Sequence, residues 1–451
     1  MTKIPKLYIA LFLLIGSVLF SACFTQKKAK KTVITETANE STESNEIDRI
    51  VTETEFLDTV QIDREIVKLI IEDTIGIEEE IIKYKKEEFN IAVLLPFNVN
   101  YNTLGMEDKK IYEKSKIALE FYEGVVIALD ELKLKGFKVN LSVHDTEGNG
   151  EIVKQILSLS EIQNMDLIIG PIYNGPLKVA SEFSKRNKIY MVSPLSPKTS
   201  FVSDNPYYLN LSSSLDTHCD YIYDDIISKN FTDVIVLYQN KNSEIEIANK
   251  FISDSPENTS LELSITKFHG LLYDKKDKPN FRDYLTDYNQ NVFIISSNNE
   301  YLVNDVLGRL FPYRNTYDIV IYGMPKWDRF ENIDPEYFEN LDISFTNNFY
   351  KNRENTDVQF FEANYYNRLN KPSTQYANIG YDMMNYFGQL LMEYPEDDFE
   401  YGINNSNTVG TYTGFDFTPV FSDSTGNINF YENKFLHLLN YQDYILEKVE
   451  D

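Results

Sequence analysis

From Phe89 onward, short unbroken apolar runs alternate with longer stretches of helical spacing. Asn90–Phe97 (NIAVLLPF) is a continuous apolar run closed by proline, the pattern of a strand buried on both faces. Tyr112–Leu134 repeats apolar residues at helical intervals, with Ile117, Ala118, Phe121, Val125, Ala128, Leu129 and Leu132 on one face and Gly136 as its stop. The rhythm continues with strands at Lys138–His144, Asp166–Gly170 and Lys188–Val192, and helices at Ile152–Gln163 and Pro176–Asn187. Beyond these, helices are predicted at Leu215–Lys229, Ser243–Ser253 and Tyr301–Phe311. Strands are predicted at Asp233–Tyr238, Leu261–Phe268, Asn291–Ser296 and Tyr317–Tyr322. Apolar strands alternating with helices predict an α/β fold whose parallel sheets are covered on both faces. Phe89–Asp451 is too long for one such sheet, so two lobes are expected.

The first part of the chain is different. Lys3 and Lys6 precede an apolar run, Leu7–Phe20, that is too short to span a bilayer comfortably and ends in Ser21-Ala22-Cys23. The segment resembles a lipoprotein signal peptide with its lipobox, apart from Phe20, where an aliphatic residue is usual. That resemblance implies cleavage after residue 22 and lipidation of Cys23. More than one acyl chain makes a stable anchor. No Asp follows Cys23, and Lys27, Lys28, Lys30 and Lys31 come next, so the expected location is the cell envelope, on the outer membrane facing the periplasm. Residues 23–88 are polar and lack proline, and are expected to form a flexible acidic stalk with a reach of roughly 45 Å.

The chain carries 43 basic and 70 acidic residues, a formal charge of -27. Such a surface repels phosphate backbones, so nucleic acid is not an expected partner, and any membrane contact must come from the acyl anchor. Once Cys23 is lipidated, Cys219 has no partner for an intrachain disulfide and reads as a small buried apolar residue. The four histidines have no metal-ligand spacing, and neither a nucleophile elbow nor a phosphate-binding glycine loop is present. No cofactor and no enzymatic activity are therefore expected.

The order IAVLLPF, long helix, HDTEGN, helix, DLIIGPIYNG, helix, YMVSPLSP resembles the first lobe of the type I periplasmic solute-binding proteins, the class that includes branched-chain amino-acid receptors. Further on, FFEANYYNRLNKPSTQYANIGYDMMNYFGQLL, with Pro372 and the Tyr381-Asp382 pair, resembles that family's return to the first lobe. GTYTGFDFTPVFSDSTGNINF resembles its closing hairpin. The resemblance implies two Rossmann-like lobes joined by a three-strand hinge, with a ligand cleft between them. Lobe one is expected at 89–208 and 349–420, lobe two at 209–348 and 421–451. It also implies a small-molecule ligand, such as an amino acid or peptide, passed to an ABC transporter or a sensor. The same fold also serves as an envelope protein-interaction module, for example as a peptidoglycan-synthase activator. That alternative predicts a cleft filled by bulky side chains such as Tyr173 and Met324.

Open parallel sheets bind ligands beyond the carboxyl ends of their strands. The rule selects Asn98, Asp145, Tyr173, Asn174, Ser193 and Ser196 in lobe one, and Tyr238, Gln239, Ser296, Asn298 and Met324 in lobe two. The helix start after Tyr173-Asn174-Gly175 would offer free N–H groups to an anion. In amino-acid-binding relatives small hydroxyl residues hold the carboxylate, a pattern Ser193 and Ser196 fit and Tyr173 does not. Gly323-Met324-Pro325 supplies no acid for an ammonium group.

Overall fold

The structure, a computed structural model, describes residues 86–103, 108–253 and 266–449 of the chain. The expected signal peptide, Cys23 and the expected stalk as far as residue 85 lie outside the described residues. No helix of the described residues is long and apolar enough to cross a membrane.

Two sheets of seven strands make the architecture, with a separate two-stranded ladder of β11 (Thr408–Val409) and β12 (Gly414–Phe415). The first holds β1 (Phe89–Leu95), β2 (Val139–Asp145), β3 (Leu167–Ile169), β4 (Tyr190–Ser193), β5 (Tyr208–Asn210), β13 (Phe417–Phe421) and β14 (Ile428–Asn433). Their spatial order is β13-β14-β5-β4-β3-β1-β2. The second holds β6 (Asp233–Tyr238), β7 (Lys267–Leu272), β8 (Asn291–Ile295), β9 (Ile319–Gly323), β10 (Asp342–Asn347), β15 (His437–Gln442) and β16 (Ile445–Lys448), in the order β16-β15-β10-β9-β8-β6-β7. Pairing is parallel from β1 to β5 and from β6 to β10. The antiparallel strands β13, β15 and β16 lie at the far edges.

Strand β1 explains why the first sheet is covered twice. Ile91 through Leu95 are all fully buried. Side chains alternate across a strand, so Ile91, Val93 and Leu95 enter the core beneath two long helices, α2 (Lys109–Leu134) and α10 (Gln375–Glu393). Ala92 and Leu94 enter a second core on the other face, beneath α3 (Gly150–Leu157) and α4 (Asn174–Asn187). Helix α1 is the single turn Val99–Thr103. The second sheet is flanked by α5 (Leu215–Ser228), α6 (Asn242–Ser253), α7 (Glu300–Leu310) and α8 (Pro335–Asn340). Helices α9 (Thr356–Leu369) and α11 (Phe399–Asn405) return to the first lobe.

Helices α2 and α10 cross with their backbones almost touching. A Cβ on Gly380 would lie 2.1 Å from the carbonyl oxygen of Phe121, and one on Gly124 would lie 1.8 Å from that of Ala377. This approach sets Ile117 of α2 beside Tyr376 and Ile379 of α10 at the cleft.

The structure departs from the sequence reading at four places. The helix expected over Ile152–Gln163 stops at Leu157, and a 3-10 turn covers Ser160–Asn164. The Ser158 hydroxyl donates to the Gln155 carbonyl at 2.6 Å and Leu159 is extended, which closes the last turn early. The strand expected at Leu261–Phe268 runs Lys267–Leu272, and Leu261 lies outside the described residues. The third crossing between lobes falls at Lys434–Leu436 rather than after Val420. Strand β14 pairs with β5 through Tyr431 and Glu432 and so keeps residues 421–433 in the first sheet. The first crossing likewise follows Asn210, the end of β5.

Candidate functional site

The crossings bring three chain segments together. Ser213 donates its hydroxyl to Asn433 O at 2.6 Å and accepts from Asn348 Nδ2 at 2.6 Å. Asn348 Nδ2 also donates to Phe435 O at 3.1 Å. A buried glutamate, Glu432, accepts from the Ser214 backbone N–H and, at 3.1 Å, from the Thr217 hydroxyl. Lys434 Nζ lies 2.7 Å from its other oxygen. The hinge is thus closed by hydrogen bonds from all three crossings.

Against this hinge lies a cavity of about 280 Å³ between the lobes. Lobe one gives it an apolar wall: Ile117 from α2, Ile172 and Tyr173 after β3, Leu195 after β4, and Tyr376 and Ile379 from α10. The hinge gives polar groups, Ser212, Asn347, Asn348 and Thr413. Lobe two adds Arg329, the one formally charged residue of the lining, from the 3-10 turn Trp327–Arg329 that follows β9. The Arg329 Nε stands 3.9 Å from Asp328 Oδ1, and Asn347 Nδ2 donates to Asp328 Oδ2 at 2.9 Å. Burial raises the Asp328 pKa, while the Arg329 charge and the Asn347 bond oppose that rise. Tyr173 has its phenol pushed up to about 12, by burial first and then by Tyr376, so the ring is a neutral wall. Lys114 Nζ sits 5.0 Å from the Tyr173 ring centroid, a cation–π contact.

Of the residues selected from sequence, Tyr173 lines this cavity. The others do not line it. Asp145 accepts the backbone N–H groups of Asn98 (3.0 Å), Val99 (2.8 Å) and Glu147 (2.9 Å), so its carboxylate closes the β1 and β2 loops on each other. Buried Asn98 donates to Pro96 O and Ser115 Oγ. Ser193 is fully buried, and Ser196 donates to Asn174 Oδ1 at 2.8 Å. The cavity wall is made by Pro194 and Leu195 between the two serines. In lobe two, Ser296 is fully buried and its hydroxyl has no hydrogen-bond partner. Tyr238 packs against the lobe-two core, Met324 is buried in it, and Asn298 is exposed. The Gln239 backbone N–H donates to buried Glu244, which also accepts from Ser297. The cavity therefore lies beyond the carboxyl ends of β3, β4, β5, β9 and β10, while the loops after β1, β6 and β8 lie outside its lining.

Sequence reasoning missed Arg329, Asn347, Asn348, Gln375 and Tyr376. Arg329 had a signal, being a cation in the loop after a predicted strand. Asn347 and Asn348 end a strand that the sequence reading did not identify, and Gln375 and Tyr376 open a helix rather than follow a strand.

Residues 123–307 match the model of the family described as the receptor family ligand binding region. No curated protein matches the chain. Among solved structures, a putative branched-chain amino acid ABC transporter protein from Rhodospirillum rubrum is similar with a TM-score of 0.58 at 12% identity, over 80% of this chain and 100% of that one. A branched-chain amino acid ABC transporter periplasmic ligand-binding protein from Burkholderia xenovorans gives 0.54 at 10% identity, over 80% of this chain and 94% of that one. An ABC transporter substrate-binding protein from Desulfitobacterium hafniense, in complex with Leu, gives 0.50 at 16% identity, over 80% and 100%. The chain has the two-lobed α/β fold of the type I periplasmic binding proteins.

Proposed function

We propose that the chain is a non-enzymatic, lipid-anchored binding protein of the cell envelope, tethered through Cys23, that captures a small carboxylate with an apolar body for transport or sensing. The observation that carries this reading is the composition of the cleft. A single cation, Arg329 of lobe two, faces an apolar wall of lobe one made by Ile117, Ile172, Leu195, Tyr376 and Ile379. A guanidinium recognises a carboxylate by paired N–H donors. The hydroxyls of Ser212 and Thr413 donate to Pro194 O and Asn348 O, so their oxygens are left as acceptors for a further polar group on the ligand, and the Asn347 amide has a second N–H beyond the one given to Asp328. The cavity of about 280 Å³ suits a molecule of the size of leucine, the ligand named for the Desulfitobacterium structure, and the lining does not distinguish an amino acid from a simple carboxylate. The cavity also weighs against the protein-interaction alternative. Met324 is buried in the lobe-two core, and Tyr173 leaves the cleft open.

The test of binding is titration of the full chain with leucine and with unaminated branched and aromatic carboxylates. Binding that is lost in Arg329→Gln supports the reading, and binding that ignores Arg329 and Tyr376 contradicts it. The anchor is tested by labelled palmitate, which should enter the wild-type chain, fractionate with the outer membrane, and be absent from Cys23→Ser.

A further inference from the structure

Lobe one carries a second recess, of about 770 Å³, which the cleft does not use. It lies where the end of α2, the start of α9, the outer face of α10 and the segment Asn405–Thr411 meet. Three polar atoms on its lining residues are buried and take no hydrogen bond: Glu131 Oε1, Asn385 Oδ1 and the Tyr386 hydroxyl. Tyr386 is 7% exposed, its ring stacked on Phe415 with centroids 4.2 Å apart. The other oxygen of Glu131 accepts the Tyr381 hydroxyl at 2.7 Å, so the carboxylate is held in place with one oxygen free. Buried polar atoms are ordinarily paired, and leaving a carboxylate oxygen bare is costly. Three such atoms around one recess therefore call for an occupant with donors.

The charge of the recess gives the occupant's sign. Four acids, Glu131, Asp357, Asp382 and Glu393, line it with one cation, Lys135, so an anion is repelled. Of these, Asp382 is already held by the backbone N–H groups of Thr411, Tyr412 and Thr413. Among the described residues no group of acids and histidines could hold a metal ion, and the recess is far larger than one. Phe360 and Leu390 add apolar wall for a carbon chain. We propose that this recess is a second ligand site, binding an alkylammonium group whose three N–H donors reach Glu131 Oε1, Asn385 Oδ1 and the Tyr386 hydroxyl. An ammonium carries three donors and no acceptor, which matches two bare oxygens and a phenol able to accept. The group could come from a free amine or from the lysine side chain of a peptide.

The experiment is calorimetric titration of the full chain with three probes at up to millimolar concentration: 1,5-diaminopentane, Nα-acetyl-lysine amide and neutral 1-pentanol. An ammonium probe should bind and pentanol should not. Glu131→Gln should weaken that binding about tenfold or more, Tyr386→Phe should weaken it too, and Arg329→Gln should leave it unchanged. Binding of the diamine alone makes the ligand a free amine, and binding of the lysine amide alone makes it a peptide side chain. Should Glu131→Gln fail to fold, Tyr386→Phe carries the test, since it removes a hydroxyl that has no partner. The proposal is overturned if neither ammonium binds, if pentanol binds equally well, if the two recess variants bind as wild type, or if Arg329→Gln abolishes binding.

Discussion

Asn348 and Ser213 join the first and second crossings between the lobes through one hydrogen bond of 2.6 Å, from Asn348 Nδ2 to Ser213 Oγ. The same amide reaches Phe435 O, so a single side chain ties all three crossings together. Asn348 also lines the cleft, so the hinge and the cavity share a side chain. Asn348→Ala leaves Phe435 O without this donor and should cost about 1–3 kcal/mol. In a double-mutant cycle with Ser213→Ala the two substitutions should be non-additive by at least about 0.5 kcal/mol. Chemical denaturation of the four proteins measures the coupling, and strict additivity would show that the hinge bond is not formed.

The crossing of α2 and α10 leaves no room for a side chain. Gly380→Ala would place a Cβ 2.1 Å from the Phe121 carbonyl oxygen and force the helices apart. The expected loss is about 1–3 kcal/mol of stability, read from the denaturation midpoint. Because the same helices carry Ile117, Tyr376 and Ile379, ligand affinity should fall in the folded variant as well. Gly136→Ala is the contrasting case. No atom lies within 4 Å of its added Cβ, so only backbone strain at φ +94 opposes it, and the cleft should be unaffected.

His218 should make stability depend on pH. It is 5% exposed on α5, its Nδ1 lies 2.8 Å from Thr346 Oγ1, and burial pushes its pKa down to about 3. In the unfolded chain the ring protonates near pH 6.5. The unfolded state therefore gains a proton that the folded state refuses as pH falls from about 6.5 toward 3. The stability contributed by His218 is complete above 6.5 and declines by up to about 1.4 kcal/mol per pH unit across that window. Urea unfolding at pH 7 and pH 5 should show a smaller difference for His218→Gln than for wild type. An equal difference in the two proteins would contradict the account.

Much of the fold was legible because buried parallel strands announce themselves. IAVLLPF, LII and VFII are apolar at every position, since both faces of these strands are covered. The antiparallel edge strands were harder. Strands β15 and β16 mix polar and apolar positions, and β14 was assigned to the wrong lobe because nothing in NINFYEN says which sheet it joins. The site was less legible than the fold. Strand-end polar residues have two uses, binding a ligand or closing their own loop, and Asp145 and Glu244 do the second. That choice depends on backbone N–H groups from elsewhere in the chain, which no local pattern records. Arg329 was hidden for a different reason. It reaches the cleft from a 3-10 turn whose position depends on Trp327 packing against Gly323 and donating to Ser297 O at 3.0 Å.

That tryptophan offers the most direct measurement of the central claim. Trp327 is the only tryptophan of the chain, is buried in lobe two, and lies two residues before Arg329. Its fluorescence should change saturably when leucine or an apolar carboxylate of similar size is added to the full chain. The change should vanish in Arg329→Gln and be weakened in Tyr376→Ala, on the opposite wall. A saturable response that persists unaltered in both variants, or no response to any such carboxylate, would contradict a ligand site between the lobes.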